Sequence, residues 1–257
     1  MRKQFKAGVV FTMAALLLAP TPASSQSRKP RPFTVSGIVL DTAGKPLQGA
    51  QVWLRADFVY GRATATTGPD GRFVIGDLIK ATYRAEAFFE TKYAGSTVCH
   101  RLAMPKPTDY NSFPVSEGAE RDFRWQLTGK IGFTDTYFGA SIRIWQMDAA
   151  LLDAARAVEF TLAPTGPLLD GSQGSVIVRE ALLEYPASDD GLDDLPLGTY
   201  RLTAVLIGKD GRRAPLRVKA LESQDFRPEL ALVWRSEGSC GMGSDNGVKP
   251  FFVELAR

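Results

Sequence analysis

The sequence predicts an all-β protein made of two tandem antiparallel β-sandwich domains with at most one short helix. Three observations support this prediction. Short runs of alternating apolar and polar residues recur along the chain, turns rich in Gly, Pro and Asp separate them, and convincing long amphipathic helical patterns are missing. A parallel α/β sheet would need a helix after nearly every strand, so that fold is excluded.

Residues 1–25 have the pattern of a secretory signal peptide. A basic start, M-R-K-Q-F-K, precedes the apolar run A-G-V-V-F-T-M-A-A-L-L-L-A and a small-residue exit near Ser25. The run is shorter than the ~20 residues that cross a bilayer, and no Cys near the cleavage point offers a lipid anchor. We expect a secreted or periplasmic protein with no membrane span after signal cleavage. A disordered tail or an uncleaved anchor is the alternative.

The charge of the processed chain excludes one class of partner. The 257 residues carry a formal charge of +3, and Arg2, Lys3 and Lys6 leave with the signal peptide, which brings the charge to about zero. A neutral chain lacks the sustained basic surface that dominates affinity for nucleic acids. Nucleic acid is therefore not an expected partner.

Residues 26–32, Q-S-R-K-P-R-P, form a flexible Pro-rich leader, and the first sandwich is expected at residues 33–128. Its first strand, Phe33 to Leu40, alternates and ends in the turn D-T-A-G-K-P. Its second strand places Ala50, Val52 and Leu54 on one face. Further strands are expected at 62–67, 73–75, 83–89 and 122–127.

A second, divergent sandwich is expected at residues 129–257. The best helical window of the chain, Asp148 to Val158, lies near its start. The chain also repeats itself: D-L-I-K-A-T-Y-R-A-E-A from Asp77 aligns with D-L-P-L-G-T-Y-R-L-T-A from Asp194. G-A-Q-V-W-L from Gly49 aligns with G-A-S-I-R-I from Gly139, at a different offset. These echoes predict two related sandwiches, and chance similarity between β-rich segments is the alternative.

The first half resembles a known family. V-S-G-I-V-L-D-T-A-G-K-P-L-Q-G-A-Q-V-W-L, then T-T-G-P-D-G-R-F-V-I and A-T-Y-R-A-E-A, are similar to a carboxypeptidase regulatory-like domain over Phe33 to Leu127. The resemblance implies a transthyretin-like (prealbumin-type) sandwich, grouped with carbohydrate-binding-like folds, that serves as a non-catalytic module. Function still has to be argued from a site, because one fold hosts many functions.

The residues that carry chemistry do not form a catalytic or metal-binding set. A zinc peptidase needs several His and carboxylate ligands, and His100 is the only histidine. His100 and Cys99 are neighbours on a strand, where side chains point to opposite faces, so a Cys–His pair is disfavoured. The acidic loop 189–194 and the segment 244–247 lack a calcium-binding pattern. We expect neither an enzyme nor a cofactor.

Two questions stay open, whether the cysteines pair and whether any carboxylates form an acid–base pair. Cys99 and Cys240, the only cysteines, would form one disulfide in an oxidising compartment, and two unpaired thiols are the alternative. An enzyme would need an acid–base pair from scattered carboxylates whose spacing recommends none. Those carboxylates are Glu86, Glu90, Asp135 and Glu184.

Alternation sorts the four tryptophans. Trp125 and Trp234 are in phase with apolar neighbours and are predicted to lie in cores. Trp53 and Trp145 are out of phase with theirs and should point away from the core. Tyr60 could extend a binding platform around Trp53, with the Arg62 guanidinium beside it. The alternative is that a neighbouring domain or loop covers these tryptophans.

The sequence therefore predicts a secreted, non-catalytic binding or interaction module. An exposed Trp or Tyr commonly stacks on the apolar face of a sugar ring, so carbohydrate or a cell-envelope polymer is the expected ligand. The alternative is a structural or assembly protein whose exposed strand edges pair with an envelope partner protein.

Overall fold

The computed structural model describes residues 30–147, 149–183, 190–241 and 246–257. The expected signal peptide, Asp148, Glu184, Asp189 and Ser244 lie outside the described residues. The all-β prediction is confirmed: among the described residues the structure contains seventeen strands and one short α-helix, α1 (Ala149–Ala154). The helix is shorter than the predicted window because Ala155 already begins a strand that pairs with a neighbour.

Residues 35–124 form the first sandwich. Its strands are β1 (Val35–Leu40), β2 (Gln51–Ala56), β3 (Arg62–Thr66), β4 (Arg72–Ile75), β5 (Thr82–Tyr93), β6 (Ser96–Arg101), β7 (Phe113–Pro114), β8 (Ala119–Glu120) and β9 (Phe123–Arg124). One sheet has the order β4–β1–β8, with β9 also pairing with β1; the other has the order β3–β2–β5–β6, with β7 pairing with β5. The alternating residues predicted to face inwards, such as Val35 and Val39, are fully buried between these sheets.

Residues 140–256 form the second sandwich. Its strands are β10 (Ala140–Met147), β11 (Ala155–Leu168), β12 (Ile177–Leu182), β13 (Gly191–Leu195), β14 (Gly198–Gly208), β15 (Arg213–Ala220), β16 (Leu230–Leu232) and β17 (Phe251–Ala256). They form one curved sheet in the order β12–β11–β14–β15–β17–β10–β13, with β16 also pairing with β14. Because β15 joins both halves, this sheet folds over its own core, which contains Phe160 and Trp234.

The two sandwiches have the same topology. The set β4–β1–β9 corresponds to β13–β10–β17, and the set β3–β2–β5–β6 corresponds to β12–β11–β14–β15. In each sandwich the last strand runs parallel to the first, while the first strand pairs antiparallel with the fourth. The short strands β7 and β16 occupy matching places, opposite Tyr83 and Tyr200. The order of strands therefore supports a repeat of one structural unit.

The first sequence echo marks equivalent positions. Asp77 and Asp194 both adopt left-handed backbone angles, with φ of 54° and 58°, a region that Asp tolerates better than most residues. Six residues later, Tyr83 and Tyr200 are both buried. Each tyrosine donates its hydroxyl hydrogen to the carbonyl four residues upstream, at 3.2 Å to Ile79 and 2.8 Å to Pro196. The residues that the two segments share thus form the same local structure in both sandwiches.

The second echo does not mark equivalent positions. Gly49 precedes β2, whereas Gly139 precedes β10, the counterpart of β1. The two glycines also serve different needs. Gly49 has a φ of +85°, a backbone conformation that favours glycine. At Gly139 the constraint is space, because an added Cβ would lie only 2.7 Å from the Cα of Asp194. The second echo therefore reflects the similar composition of strands that alternate between buried and exposed residues.

The hairpin β5–β6 connects the two sandwiches. Its tip extends beyond the first core, and Tyr93 and Val98 are buried in the second core. The Tyr93 hydroxyl donates to the Gly198 carbonyl at 2.8 Å and accepts from the Trp234 backbone N–H at 3.2 Å. Burial raises the pKa of Tyr93, so the hydroxyl stays protonated and can donate.

Replacing Tyr93 with Phe tests this connection. The change removes a hydroxyl that serves two buried backbone groups, so we expect a loss of about 1–3 kcal/mol in the free energy of unfolding. Tyr83→Phe is the matched control, because its hydroxyl makes one longer bond within the first sandwich. Urea denaturation measures both. Equal losses in the two variants would contradict a special role for Tyr93.

Candidate functional site

Trp53 is buried rather than exposed. It points away from the first core, as its phase predicts, but only 3% of its surface is accessible. The Phe88 ring packs 4.5 Å from it, and the Arg62 guanidinium stacks on it at 3.6 Å. Trp53 therefore cannot be an exposed binding surface, and the prediction of a ligand platform there is corrected.

A loop of the second sandwich covers Trp53. Gly241 lies against the indole so closely that an added Cβ would collide with Cζ3, and its φ of +68° also favours glycine. Cys99 and Cys240 complete the cluster around the ring. The covering residues lie almost two hundred positions away from Trp53 in the sequence, so strand alternation could not reveal them.

The structure joins Cys99 on β6 to Cys240 in the loop between β16 and β17. The Cα atoms lie 5.1 Å apart, within the usual range for a disulfide. The Glu90 carboxylate lies near the same pair, and these three residues are the types that hold metal ions. Because both sulfur atoms are used in the disulfide, the cluster offers no thiolate ligand.

Removing the disulfide tests how much it contributes. It closes a loop with a sequence separation of 141 residues. We expect Cys99→Ser with Cys240→Ser to lower the free energy of unfolding by about 3–5 kcal/mol, chiefly through the unfolded chain. Denaturation with and without dithiothreitol is the measurement, and the double variant is its own control because the reductant should not affect it. An unchanged wild-type midpoint in reductant would contradict the expectation.

His100 has a structural position on β6. Its ring shares a 2.9 Å hydrogen bond with the Thr91 hydroxyl and lies 5.8 Å from the Trp125 ring. Cys99, its neighbour, faces the Trp53 cluster on the other side of the strand. Burial lowers the pKa of His100 to about 4, an effect that a backbone hydrogen bond with Asn246 partly opposes.

This lowered pKa predicts a pH-dependent stability. Unfolded His100, with its ordinary pKa of 6.5, gains a proton before the folded form does, so the stabilisation present above pH 6.5 is lost as the pH falls toward 4. Between pH 7 and pH 5 we expect a loss of about 2 kcal/mol. Urea denaturation at both pH values, with His100→Gln as the control, measures it. An equal loss in the variant would contradict the assignment.

Tyr60 and Arg62 do not share a surface role. Arg62 is committed to the face of Trp53, whereas Tyr60 stands at the tip of the β2–β3 loop with an exposed fraction of 106%. Trp145 belongs to the second sandwich, on β10. The structure thus brings Trp53 and Arg62 together with the two cysteines and leaves Tyr60 and Trp145 at separate surfaces.

Trp145 is exposed, with 59% of its surface accessible. In the pairing of β10 with β17, Ile144 lies opposite Val253 and Gln146 lies opposite Glu254, which makes Trp145 the extra residue of a β-bulge. Bulges redirect side chains at functional surfaces. The Phe252 ring packs edge-on against the indole at 5.6 Å and 88°, an arrangement that aromatic pairs favour.

A surface groove of about 320 Å³ lies beside this pair, and Phe252 also lines it. Apolar side chains, among them Leu221 and Pro250, form part of the groove, while charged groups stand on its rim. Arg235 binds both carboxylate oxygens of Glu222 on that rim, which holds the guanidinium in place. Together, Trp145, Phe252 and this groove are called the Trp145 surface below.

The same face continues along the sheet with polar groups. On β17, Phe252 and Glu254 point outwards while Val253 and Leu255 are buried. Glu254 forms a 2.8 Å ion pair with Lys219 of β15. Sequence reasoning missed Phe252, although the alternation of F-F-V-E-L-A could have placed it on the outer face.

Two of the carboxylates considered for catalysis, Glu86 and Asp135, form structural ion pairs, whereas Glu90 lies beside the disulfide. Glu86 lies 3.3 Å from Arg55 and 3.3 Å from Arg101. Asp135 lies 2.9 Å from Lys130, which lowers the pKa of this carboxyl group. Such pairing is typical of surface structure. Pairs of this kind recommend neither carboxylate as a general acid or base.

Comparison with known proteins defines the first sandwich. Residues 34–116 match the carboxypeptidase regulatory-like domain. The sequence resemblance is confirmed. This regulatory-like domain supports a non-catalytic β-sandwich module as the coarse description of the chain. No curated protein sequence matches the chain.

Solved structures resemble the chain at low identity. The Bacillus anthracis TIE protein is 12% identical, with a TM-score of 0.31, over 88% of this chain and 34% of that one. A Streptococcal ancillary pilin is 12% identical, with a TM-score of 0.27, over 86% and 62%. A C-terminal fragment of the pilus adhesin SpaC from Lactobacillus rhamnosus GG is 11% identical, with a TM-score of 0.25, over 86% and 96%. The chain thus spans about a third of the first relative and under two thirds of the second.

Within the described residues, the structure contains no helix long and apolar enough to cross a membrane. The disulfide between the two sandwiches is typical of proteins that fold in an oxidising compartment. An extracellular or envelope protein would experience such conditions.

Proposed function

We propose that this protein is an exported, non-catalytic module that binds carbohydrate or a cell-envelope polymer through the Trp145 surface. The observation that carries the proposal is the exposed Trp145 held edge-on by Phe252 beside a groove. Large exposed aromatic side chains at a concave surface commonly mark ligand sites.

The chemistry of this surface suits a sugar. A pyranose ring has an apolar face of C–H groups that can stack on the indole, while its hydroxyl groups need hydrogen-bond partners at the edge. The groove supplies them through the exposed Glu222 and Arg235, whereas the ion-paired Glu254 and Lys219 side chains are only 15% accessible. The ion pairs hold these polar groups in place before a ligand arrives, which reduces the entropy lost on binding.

The shape of the surface favours a polymer. The groove lies beside the Trp145–Phe252 pair on the outside of the sheet, so neighbouring sugar units could occupy the ring face and the groove together. Several weak subsites along one chain raise the overall affinity without an enclosed pocket. Export, expected from the signal-peptide pattern, would deliver the protein to such polymers.

Tryptophan fluorescence offers a direct test, because Trp145 is the exposed one of the four tryptophans. Titration with soluble fragments of chitin, cellulose, peptidoglycan and acidic polysaccharides should change the emission for at least one ligand class. Isothermal titration calorimetry, which does not depend on the Trp145 reporter, measures the variants. We expect Trp145→Ala and Phe252→Ala each to weaken binding at least tenfold, since stacking on an aromatic side chain supplies roughly 1–3 kcal/mol per flat ring in nucleic-acid complexes.

The control for this experiment is Phe133→Ala, which removes another exposed aromatic side chain, 72% accessible, outside the Trp145 surface. Its affinity should equal that of the wild type. The absence of any response across the panel, or full binding by the Trp145→Ala protein, would contradict the proposal.

The exposed edge of β12 supports a second candidate, an assembly protein that pairs with an envelope partner through strand addition. β12 is the edge strand of its sheet, and Val178 and Leu182 on it are each 55% exposed. Natural edge strands usually carry protective charges, and β12 has Arg179 and Glu180, the first of which donates to the Asp193 carbonyl. The exposed apolar side chains on either side of these charges are the part of the edge that favours pairing. Val178→Lys should then abolish co-purification of the partner while leaving glycan binding unchanged.

A further inference from the structure

A second groove adjoins the Trp145 surface. It has a volume of about 450 Å³ and lies on the outer face of the sheet, where β11, β14 and β16 run side by side. Val233 lines both this groove and the groove beside Phe252, so the two are continuous. The second groove is called the Arg201 groove below; Thr165, Thr199, Arg201 and Ala231 also line it.

The segment from Leu230 to Arg235 connects the two grooves. Its residues alternate, with Leu232 and Trp234 buried and Ala231, Val233 and Arg235 exposed. Ala231 lines the Arg201 groove, whereas Arg235 lines the groove of the Trp145 surface. Four residues of extended chain span about 13 Å. A ligand that contacts both grooves must therefore be an extended chain of several units.

Small side chains keep the Arg201 groove open. The strand register places Arg201 opposite Ala163 on one side and opposite Ala231 on the other. Next to this row, the Thr165 hydroxyl donates to the Thr199 hydroxyl at 3.0 Å. Hydroxyl groups of this kind can exchange hydrogen bonds with the hydroxyl groups of a sugar. The groove thus presents a cation above a flat and partly polar floor.

The charged side chains that line the two grooves are mainly basic. They are Arg201, Arg227, Arg235 and Lys249, against Glu222 and Glu229. Glu229 lies 3.6 Å from Arg201, and Asp225, outside the grooves, lies 3.7 Å from Arg227. Lys249 forms no ion pair with any residue that the structure describes. Because ion pairs between exposed groups are weak, these arginines remain able to bind an anionic ligand.

We propose that the Trp145 surface and the Arg201 groove together bind one linear acidic polysaccharide, whose sugar units carry carboxylate groups. This inference rests on the proposed carbohydrate function and adds the class of polymer. One sugar ring stacks on Trp145, and carboxylates farther along the chain pair with Lys249 and Arg201. A guanidinium binds a carboxylate through two parallel hydrogen bonds, and an ammonium binds it as a point charge. Several such weak contacts along one chain add up to a useful affinity.

An acidic polysaccharide fits these grooves better than a folded protein does. Protein interfaces depend on a few large side chains that fill pockets at the centre of the contact. In the Arg201 groove the one aromatic residue, Tyr200, is buried, and the floor consists of small or charged side chains. A long, shallow and basic surface with an aromatic pair at one end is complementary in shape and charge to a flexible anionic chain.

Calorimetric titration with uronic acid oligomers tests the proposal. The octasaccharide of galacturonate is compared with its methyl ester, which keeps the sugar chain but lacks the charges, and with the disaccharide, which is too short for both grooves. The octasaccharide of mannuronate is a second acidic ligand with a different ring geometry. We expect at least one acidic octasaccharide to bind at least tenfold more tightly than its methyl ester and its disaccharide. Added salt should weaken the binding of the acid and leave that of the ester unchanged.

Variants locate the basic contacts. Arg201→Gln with Lys249→Gln should weaken binding of the acidic octasaccharide at least fivefold and reduce its salt dependence, while binding of the methyl ester stays unchanged. Arg212→Gln with Lys45→Gln is the matched control, because both residues are exposed cations outside the two grooves. The control should bind as the wild type does. Thermal unfolding confirms that each variant is folded.

The outcomes separate this proposal from the function on which it rests. Equal binding of an acidic octasaccharide and its ester, lost for both in Trp145→Ala, would retain the Trp145 surface as a sugar site and overturn the acidic class. A disaccharide that binds as tightly as the octasaccharide would overturn the role of the Arg201 groove. The absence of binding to any glycan would overturn both proposals.

Two further results would assign the grooves to another occupant. Inorganic polyphosphate that binds as tightly as the acidic octasaccharide would show that charge alone is recognised. Sedimentation could instead show self-association that the Arg201→Gln, Lys249→Gln protein loses, which would make the grooves an interface between two copies. Either result would overturn the proposal.

Discussion

The β5–β6 hairpin is the constraint on which the rest of the structure depends. Its base belongs to the first sandwich, while Tyr93 and Val98 at its tip fill the second core. The Tyr93 hydroxyl forms hydrogen bonds with the Gly198 carbonyl and the Trp234 backbone N–H of the second sandwich. Without the hydroxyl, these two buried groups would lose these hydrogen bonds. In the other direction, the loop of the second sandwich that carries Cys240 and Gly241 covers Trp53 on the outer face of the first sandwich. Each sandwich thus completes the burial of the other.

This mutual burial explains the role of Trp53. A large aromatic ring on the outer face of a sheet would normally mark a ligand site, but here the neighbouring sandwich takes the place of the ligand. Arg62, Phe88 and the disulfide surround the ring, so Trp53, which suggested binding from the sequence, instead lies in the contact between the two sandwiches. Trp145 lies on a different part of the repeated unit, on β10, the counterpart of β1, and its ring is exposed.

Local physics made most of the fold predictable and left the site largely unpredictable. Side-chain alternation correctly identified β1 to β5 and β9 of the first sandwich, but not β6 to β8, and it placed Trp125 and Trp234 in cores, because burial on one face of a strand has a period of two. The Asp77 echo was informative because a left-handed Asp and a buried Tyr form one local structure. The cover over Trp53 comes from distant residues, and the bulge at Trp145 depends on pairing with β17, so neither has a local signal.

The connection between the sandwiches also bears on how the Trp145 surface would work. This surface lies on the second sandwich. A flexible linker between the sandwiches would let a captured polymer move freely relative to the first sandwich. The inserted hairpin, the disulfide and the covering loop replace such a linker with packed contacts. A polymer bound at the Trp145 surface would therefore keep a fixed orientation relative to the first sandwich.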